Sequence, residues 1–344
     1  MTDFEKICDI ENLLKAHRLV SNGKRGKIGY LNFERDLALN LAALSDDLRA
    51  GTYAISGYTF FQVKEPKTRD IYEVLYVDKI VMTVLCEEVL KPRLSPHFIY
   101  DNVACQTGKG THFGMNRFSQ FLLAHFKRFG SKGYVLKCDI AGYFANIRQV
   151  VLKEQLARRI KDADVMRLLC HFIDSYHTPG RPGIGLPLGN QTSQWFALYY
   201  LSGIDHFIKE QLGIKGYVRY MDDFVLLHHD KKYLWECLGR ITEQTNALGL
   251  LINPKTDIFP IGKGVEFLGW RFYVTATGGI VKRMKKQSKM RLRKGLAVTS
   301  RQYFNSERDL ASVLQTVASY QGHIQHGHAY YFWQRQLKGY LNGN

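Results

Sequence analysis

The feature of this sequence that most constrains its fold is a pair of adjacent carboxylates, Asp222 and Asp223, between two apolar stretches. GYVR and Tyr220-Met221 precede the pair and FVLL follows it, which predicts two strands joined by a tight turn. Like charges this close repel each other unless a cation neutralises them, so the pair indicates a cation site at a sheet edge. Taken alone, the motif is more typical of an ordinary Asp-rich turn.

A third carboxylate, Asp139, ends the apolar stretch 133–139 and begins a turn. It is distant from Asp222 in the sequence, so only adjacent strands of one sheet would bring the two together. Carboxylates on neighbouring strands can hold a pair of Mg²⁺ ions about 3.5–4 Å apart. One ion would lower the pKa of an attacking hydroxyl, and the other would bind the phosphate groups of the substrate. Hard oxygen ligands suit Mg²⁺, with Mn²⁺ as a substitute.

A loop with two glycines, residues 185–194, leads into the apolar segment WFALYYLSGIDHF. Glycine allows a nucleotide to approach the backbone closely, and the N-terminus of the helix that follows favours anionic groups. A capped loop before a buried helix is the alternative interpretation.

The charge balance of 48 basic against 31 acidic residues gives a net charge of +17, which predicts a polyanionic partner, most simply nucleic acid. No apolar run approaches the roughly 20 residues that span a bilayer, and the N-terminal stretch does not resemble a secretion signal. We therefore expect a cytoplasmic protein that does not associate with a membrane. The six cysteines are scattered, and we expect most of them to be buried, reduced thiols.

The periodicity of apolar residues alternates between helical and strand-like along the chain, which predicts an α+β fold. Strands are expected within 58–77, 133–139, 216–229 and 264–282, and helices within 1–50, 78–92, 112–129, 146–176, 193–211, 231–248 and 285–344.

The three motif segments, in this order, resemble the palm motifs of reverse transcriptases, with YMDD at 220–223 as the signature box. Segments 104–112, 249–256 and 267–270 resemble the finger–palm loop, the segment with a lysine near the pyrophosphate, and the primer grip. The resemblance implies a right-hand polymerase with fingers, an antiparallel palm sheet and a helical thumb. Its expected parts are N-terminal helices and fingers at 1–135, a palm at 136–275 with 146–183 partly in the fingers, and a basic helical thumb at 276–344.

Within the superfamily that includes group II intron and retron-like bacterial enzymes, Leu188-Gly189 and Ser193-Gln194 resemble the reverse transcriptases of diversity-generating retroelements. That resemblance implies a structured non-coding RNA and a small basic accessory protein as partners. Trp195 and the residues that follow it depart from the retroelement pattern, so the same polymerase in an antiphage defence system is the alternative. A non-catalytic RNA-binding module is the alternative of another class.

The resemblance also implies a role for individual residues. The expected partners are an RNA template, a DNA or RNA primer, and dNTPs. The catalytic carboxylates would be Asp139, Asp222 and Asp223, with the Ile140 carbonyl as a further metal ligand. The nucleotide-binding residues would be Lys64, Lys67, Arg69, Phe144, Leu188, Gly189, Gln194 and Lys255, with the Phe144 ring excluding a 2′-hydroxyl. The nucleic-acid-binding residues would be Gly269, Lys282, Arg283, Lys285, Lys286, Lys289, Arg291 and Arg293. A solvated surface is the alternative for the basic residues, and a core position for Phe144.

Overall fold

The computed structural model describes residues 1–64 and 67–341. The α-helices are α1 (Asp3–Cys8), α2 (Ile10–Ser21), α3 (Ile28–Arg35), α4 (Leu37–Ala50), α5 (Tyr76–Leu85), α6 (Lys91–Leu94), α7 (Thr111–Phe129), α8 (Tyr143–Asn146), α9 (Gln149–Ala157), α10 (Ala163–Asp174), α11 (Gln191–Tyr200), α12 (Ser202–His206), α13 (Lys231–Ala247), α14 (Lys286–Phe304), α15 (Leu310–Ile324) and α16 (Tyr330–Leu341). Single π-helical turns, Cys86–Leu90 and Phe207–Gln211, follow α5 and α12.

The strands are β1 (Tyr58–Val63), β2 (Arg69–Val74), β3 (Tyr134–Cys138), β4 (Gly216–Tyr220), β5 (Asp223–His228), β6 (Asp257–Pro260), β7 (Val265–Phe267), β8 (Trp270–Val274) and β9 (Ile280–Met284). All strand pairs are antiparallel. The α+β class expected from the sequence is confirmed.

The chain forms two compact units, and unit 1 comprises residues 1–106, 139–212 and 240–254. Its helices bury the apolar residues that recur at helical spacing, such as Leu13, Leu44 and Leu48. Helix α4 ends at Gly51, whose φ of 71° is a left-handed conformation that glycine adopts without steric cost. The β1–β2 hairpin also belongs to unit 1, with Val63 paired to Arg69 next to its turn.

Unit 2 comprises residues 107–138, 213–239 and 255–344. Its larger sheet has the strand order β4-β5-β3-β6. The four consecutive residues Phe224, Val225, Leu226 and Leu227 of β5 are buried, so both faces of this strand are covered. Helix α7 packs on β4 and β5.

A second sheet in unit 2 has the order β7-β8-β9. Phe118 of α7 packs edge-on against Phe267 and Phe272 of this sheet. The C-terminal helices attach to the same sheet through a close approach of Gly327 to the buried Trp270 ring, where a Cβ atom would lie 1.9 Å from a ring carbon. A glycine is therefore required at position 327.

The sequence did not predict β6, a four-residue strand that adds the outer strand beside β3. Four of the six cysteines, Cys8, Cys86, Cys138 and Cys237, are buried, as expected. Within residues 1–64 and 67–341, none of the helices combines the length and the apolar character needed to cross a membrane.

Candidate active site

The turn between β4 and β5 presents the adjacent carboxylates of unit 2. Tyr220 pairs with Asp223, so Met221 and Asp222 form a two-residue loop. Met221 has a φ of 56°, a left-handed conformation that costs a non-glycine residue about 1–2 kcal/mol. The guanidinium of Arg219, which is only 1% exposed, donates a hydrogen bond of 2.7 Å to the Met221 carbonyl and so stabilises this conformation. The turn geometry is thus held from within the sheet.

Asp223 is the first residue of β5 and faces a lysine on the neighbouring strand. Its carboxylate lies 3.8 Å from the Lys137 ammonium of β3. Lys137 also donates a hydrogen bond of 2.7 Å to the Glu266 carbonyl. The Glu266 side chain lies 2.7 Å from Lys285, and this hydrogen bond holds the pKa of Glu266 below its usual value. Lysines therefore lie beside Asp223 of the larger sheet and beside Glu266 of the second sheet.

Asp139, in unit 1, is held by a segment that follows α13. Its carboxylate accepts a 2.9 Å hydrogen bond from the side-chain amide of Asn253, and its carbonyl accepts one of 2.8 Å from the Asn253 backbone. Ala141 donates to the Leu251 carbonyl on the other side of a bridge that pairs Ile140 with Ile252. The two hydrogen bonds of this bridge are made by Asp139 and Ala141, the residues on either side of Ile140. The Ile140 carbonyl is therefore not an acceptor in the bridge.

The register of the larger sheet relates the carboxylate positions through the strands. Cys138, the last residue of β3, pairs with Phe224 of β5. Asp139 is the next residue of the chain after Cys138, and Asp223 directly precedes Phe224. Asp139 therefore follows β3, and Asp223 begins β5, at the same end of the β3–β5 pair.

Phe144 lies on the one-turn helix α8 in unit 1, and its side chain is half-buried. Its carbonyl accepts a hydrogen bond of 2.9 Å from Leu186 of the 185–194 loop. The preceding Tyr143 is buried and donates its hydroxyl to the Ala197 carbonyl at 2.5 Å. Anchoring of Tyr143 thus fixes the helix turn that carries the less buried Phe144 ring.

The 185–194 loop, also in unit 1, is hydrogen-bonded to β2. Tyr72 donates to the Leu188 carbonyl at 2.9 Å, and the buried Asn190 both accepts from Val74 and donates to the Tyr72 carbonyl. Gly189 has a φ of 115°, and a Cβ atom there would lie 2.8 Å from a side-chain carbon of Ile71. The backbone needs glycine at this position for two reasons, its conformation and the close approach of β2. Gln194 is exposed on the first turns of α11.

The basic residues predicted to bind the triphosphate lie at the turn of the β1–β2 hairpin. Lys64 follows β1, and Arg69 is the first residue of β2. These two side chains and that of Lys67 are exposed. Lys255, in unit 2, is also exposed and precedes β6.

The basic side chains predicted to bind nucleic acid lie along β9 and the start of α14, and several have partners within unit 2. Lys285 pairs with Glu266, and the Arg283 guanidinium lies 5.3 Å from the centre of the Tyr273 ring. Lys289 and Arg293 lie over the ring of Phe332 at 5.3 and 5.4 Å.

The remaining members of this set differ in their exposure. Lys286 and Arg291 are exposed, whereas Lys282 is half-buried. The Lys282 backbone N–H donates to the Nδ1 atom of the His328 ring, and the Lys282 carbonyl accepts from the His328 backbone N–H. Burial lowers the pKa of Lys282. Gly269 occupies the β7–β8 turn with a φ of 85° and follows Leu268, which is also left-handed. The exposed charges best placed for phosphate are therefore Lys286 and Arg291.

The donor atoms of the candidate metal site are carboxylate and carbonyl oxygens, which Mg²⁺ prefers. Among the residues that the structure describes, no three or more His, Cys, Asp or Glu side chains form a ready-made ion-binding group. Magnesium characteristically binds through one or two carboxylates together with substrate phosphates and water, so this donor set fits the ion.

Comparison with known proteins decides the family. The family described as "Reverse transcriptase (RNA-dependent DNA polymerase)" matches residues 67–272, well over half of the chain. The chain belongs to the reverse transcriptase family. The match covers the positions of Asp139, the 185–194 loop and the YMDD turn, so this part of the resemblance seen in the sequence is confirmed.

The reverse transcriptase fold is also found in solved telomerase structures. Telomerase from Candida albicans, in complex with a TWJ fragment of telomeric RNA, matches with a TM-score of 0.52 and 13% identity over 83% of this chain and 57% of that one. Apo telomerase from Candida tropicalis matches with a TM-score of 0.50 and 14% identity over 67% of this chain and 49% of that one. At these identities the likeness shows the fold alone, and the chain spans about half of each telomerase. No curated protein matches the sequence significantly.

Sequence reasoning missed three side chains that contact the candidate carboxylates or their turn: Arg219, Lys137 and Asn253. Each lies next to a motif that the sequence singled out. Asn253 belongs to the segment 249–256, for which the sequence predicted a role for Lys255 alone. In the sequence, each of these residues is a polar side chain between apolar neighbours. That pattern does not show which residue the polar side chain contacts.

Proposed function

We propose that this chain is an RNA-directed DNA polymerase that extends a DNA or RNA primer on an RNA template. The observation that carries the proposal is the sheet register. It has Asp139 and the Asp222–Asp223 turn next to the same end of the β3–β5 pair, as a shared metal site requires. Family membership and the net charge of +17 support a nucleic-acid substrate.

The proposed assignment of domains follows the right-hand polymerase pattern. Residues 1–135 would form the N-terminal helices and fingers, residues 136–275 the palm with 146–183 partly in the fingers, and residues 276–344 the thumb. The antiparallel sheet β4-β5-β3-β6 supports the palm assignment, and helices α14, α15 and α16 support the thumb assignment.

Asp139, Asp222 and the Ile140 carbonyl would hold two Mg²⁺ ions, with Asp223 as a supporting carboxylate. The chemistry that the bound ions supply is a lower pKa of the primer 3′-hydroxyl and neutralisation of the triphosphate charge. Asn253 would keep the Asp139 carboxylate in one orientation through its hydrogen bond of 2.9 Å. Lys137, 3.8 Å from Asp223, would limit the repulsion between the adjacent carboxylates.

The nucleotide would lie near Phe144, Leu188 and Gly189, with its triphosphate on the hairpin cations. Guanidinium and ammonium groups pair well with phosphate oxygens, which supports Arg69, Lys64 and Lys67. Gln194 would face the same nucleotide or the template, and Lys255 would give a proton to the leaving pyrophosphate. The ring of Phe144 would clash with a 2′-hydroxyl and so select dNTPs.

We further propose that the enzyme is of the diversity-generating type, because Leu188 stands where other reverse transcriptases carry a glutamine. An apolar side chain removes a polar contact, which would lower fidelity. The proposed partners are a structured RNA and a small basic accessory protein. The residues after Gln194 depart from that type, and they favour a role in antiphage defence as the second candidate. Sequencing of the RNA that co-purifies with the protein separates the two, because a template with a repeat of a variable gene supports the first.

Primer extension on an RNA template tests the proposed activity. Wild-type protein with Mg²⁺ should add dNTPs, and Asp222→Asn should lose activity by several orders of magnitude. Asp230→Asn is the matched control, since Asp230 is an exposed carboxylate beyond the far end of β5 and asparagine can retain its capping bonds to Lys232 and Tyr233. Failure of the wild-type protein to extend any primer would instead support a non-catalytic RNA-binding module.

A further inference from the structure

A cavity of about 300 Å³ lies in unit 2 at the end of the larger sheet remote from the YMDD turn. It is lined by residues from the end of α7, from the start of β4 and from the end of β5. Strand β5 runs from Asp223 to His228, and five residues of strand extend roughly 17 Å. The cavity is therefore separate from the carboxylate turn, and the proposed polymerase chemistry does not use it.

Aromatic rings form a stack at this cavity. The rings of Phe129 and His229 are parallel within 10°, with their centres 4.4 Å apart. The Arg128 guanidinium lies 5.0 Å from the centre of Phe129, and His228 lies 4.4 Å from His229. His229 is exposed, so a further planar group can join the stack. Stacked aromatic and guanidinium planes are the surfaces on which proteins hold unpaired bases.

The charge of the lining is basic. Arg128 and Lys215 are exposed cations, and none of the described residues that line the cavity is Asp or Glu. Burial lowers the pKa of His125 and of His228. These two rings are thus mainly neutral near pH 7 and supply flat surfaces, while Arg128 and Lys215 supply the positive charge. The volume is at the lower end of the range for small-ligand sites, roughly 300–1,000 Å³.

We propose that this cavity binds a nucleoside phosphate, with the base stacked on the Phe129–His229 pair and the phosphate held by Arg128 and Lys215. An unpaired nucleotide of an RNA and a free nucleotide share this chemistry. An apolar peptide would contact only the rings, and an acidic protein would contact only the cations. A nucleoside phosphate would contact both.

Photocrosslinking of the full chain distinguishes the two sources. One arm uses a short single-stranded RNA that carries 4-thiouridine, and the other uses 8-azidoadenosine 5′-monophosphate. After digestion with a protease that does not cut at Arg or Lys, mass spectrometry should locate label on residues 121–129 or 213–229. Label from the RNA alone identifies an unpaired RNA nucleotide, and label from the monophosphate identifies a free nucleotide.

Variants test the assignment of the residues. His229→Ala and the double variant Arg128→Ala/Lys215→Ala should each reduce the crosslink yield at least about fivefold. The matched control, Lys127→Ala/Lys263→Ala, removes two exposed charges of unit 2 that do not line the cavity and should leave the yield unchanged. Primer extension on a short duplex and the melting temperature should match wild type for all three. Absence of label from both arms, or equal yields in every variant, overturns the proposal.

Discussion

Asn253 holds Asp139 by two hydrogen bonds, one of 2.9 Å to the carboxylate and one of 2.8 Å to the carbonyl. The bridge between Ile140 and Ile252 follows directly, flanked by the Asn253–Asp139 backbone bond on one side and the Ala141–Leu251 bond on the other, and it fixes the backbone. The segment after α13 therefore sets both the position and the orientation of a carboxylate that we assign to metal binding. Groups that orient a metal ligand in this way contribute to metal affinity without touching the ion.

Replacement of Asn253 by alanine should weaken the site without removing a ligand. Primer extension by Asn253→Ala should fall about 10- to 100-fold, and the Mg²⁺ concentration for half-maximal activity should rise. Asn246→Ala, an exposed asparagine of α13, is the control and should behave as wild type. A fall in activity with an unchanged Mg²⁺ dependence would show that Asn253 matters only for folding.

Replacement of Phe144 by alanine should admit ribonucleotides, because the ring would no longer oppose a 2′-hydroxyl. Discrimination between dNTP and rNTP, measured as the ratio of kcat/KM values, should fall at least tenfold, or about 1.4 kcal/mol. Phe304→Ala is a control at an exposed ring on α14 and should keep the wild-type ratio. If the Phe144 variant keeps that ratio as well, the ring does not select the sugar.

Replacement of Leu188 by glutamine should raise fidelity, since the loop would regain a polar contact. The Leu188 backbone is already held by Tyr72, so the exchange alters the side chain on a fixed loop. Sequencing of the cDNA should show fewer misincorporations than in the wild type. Leu314→Gln, at an exposed leucine of α15, controls for the added amide. Identical error spectra in all three proteins would refute the role of Leu188.

Charge reversal at Lys286 and Arg291 should weaken binding of a primer–template duplex and flatten its salt dependence. Loss of two phosphate contacts should reduce the slope of log K against log salt by roughly 2. Fluorescence anisotropy over a range of salt concentrations measures this slope. Lys127→Glu/Lys263→Glu reverses the same number of charges elsewhere in unit 2. An equal change of slope in both double variants would assign the effect to net charge rather than to this segment.

The elements and motifs that could be predicted from the sequence are those with a local cause. The apolar runs around Asp222 predicted the β4–β5 hairpin, and helical periodicity with Gly51 predicted the end of α4. Strand β6 was missed because only four residues form it, and its pairing with β3 depends on contacts distant in sequence.

The positioning contacts of the site could not be predicted for a similar reason. The partner of a polar side chain such as Asn253 or Arg219 depends on how the chain returns to that point. In the sequence, the basic residues after position 281 cannot be told apart by their charge. In the structure, Lys285 and Arg293 have partners within unit 2, whereas Lys286 is exposed. A charge pattern shows the sign of a surface, whereas tertiary contacts decide which charges remain available.

The most direct test of the shared metal site is cleavage of the backbone by Fe²⁺ bound in place of Mg²⁺, in the presence of ascorbate and peroxide. Radicals formed at one bound ion cut only the nearest backbone. We expect cuts both next to Asp139 and within the 220–223 turn, and excess Mg²⁺ should suppress the two sets together. Cuts at one of these segments without the other would contradict a site that Asp139 and Asp222 share.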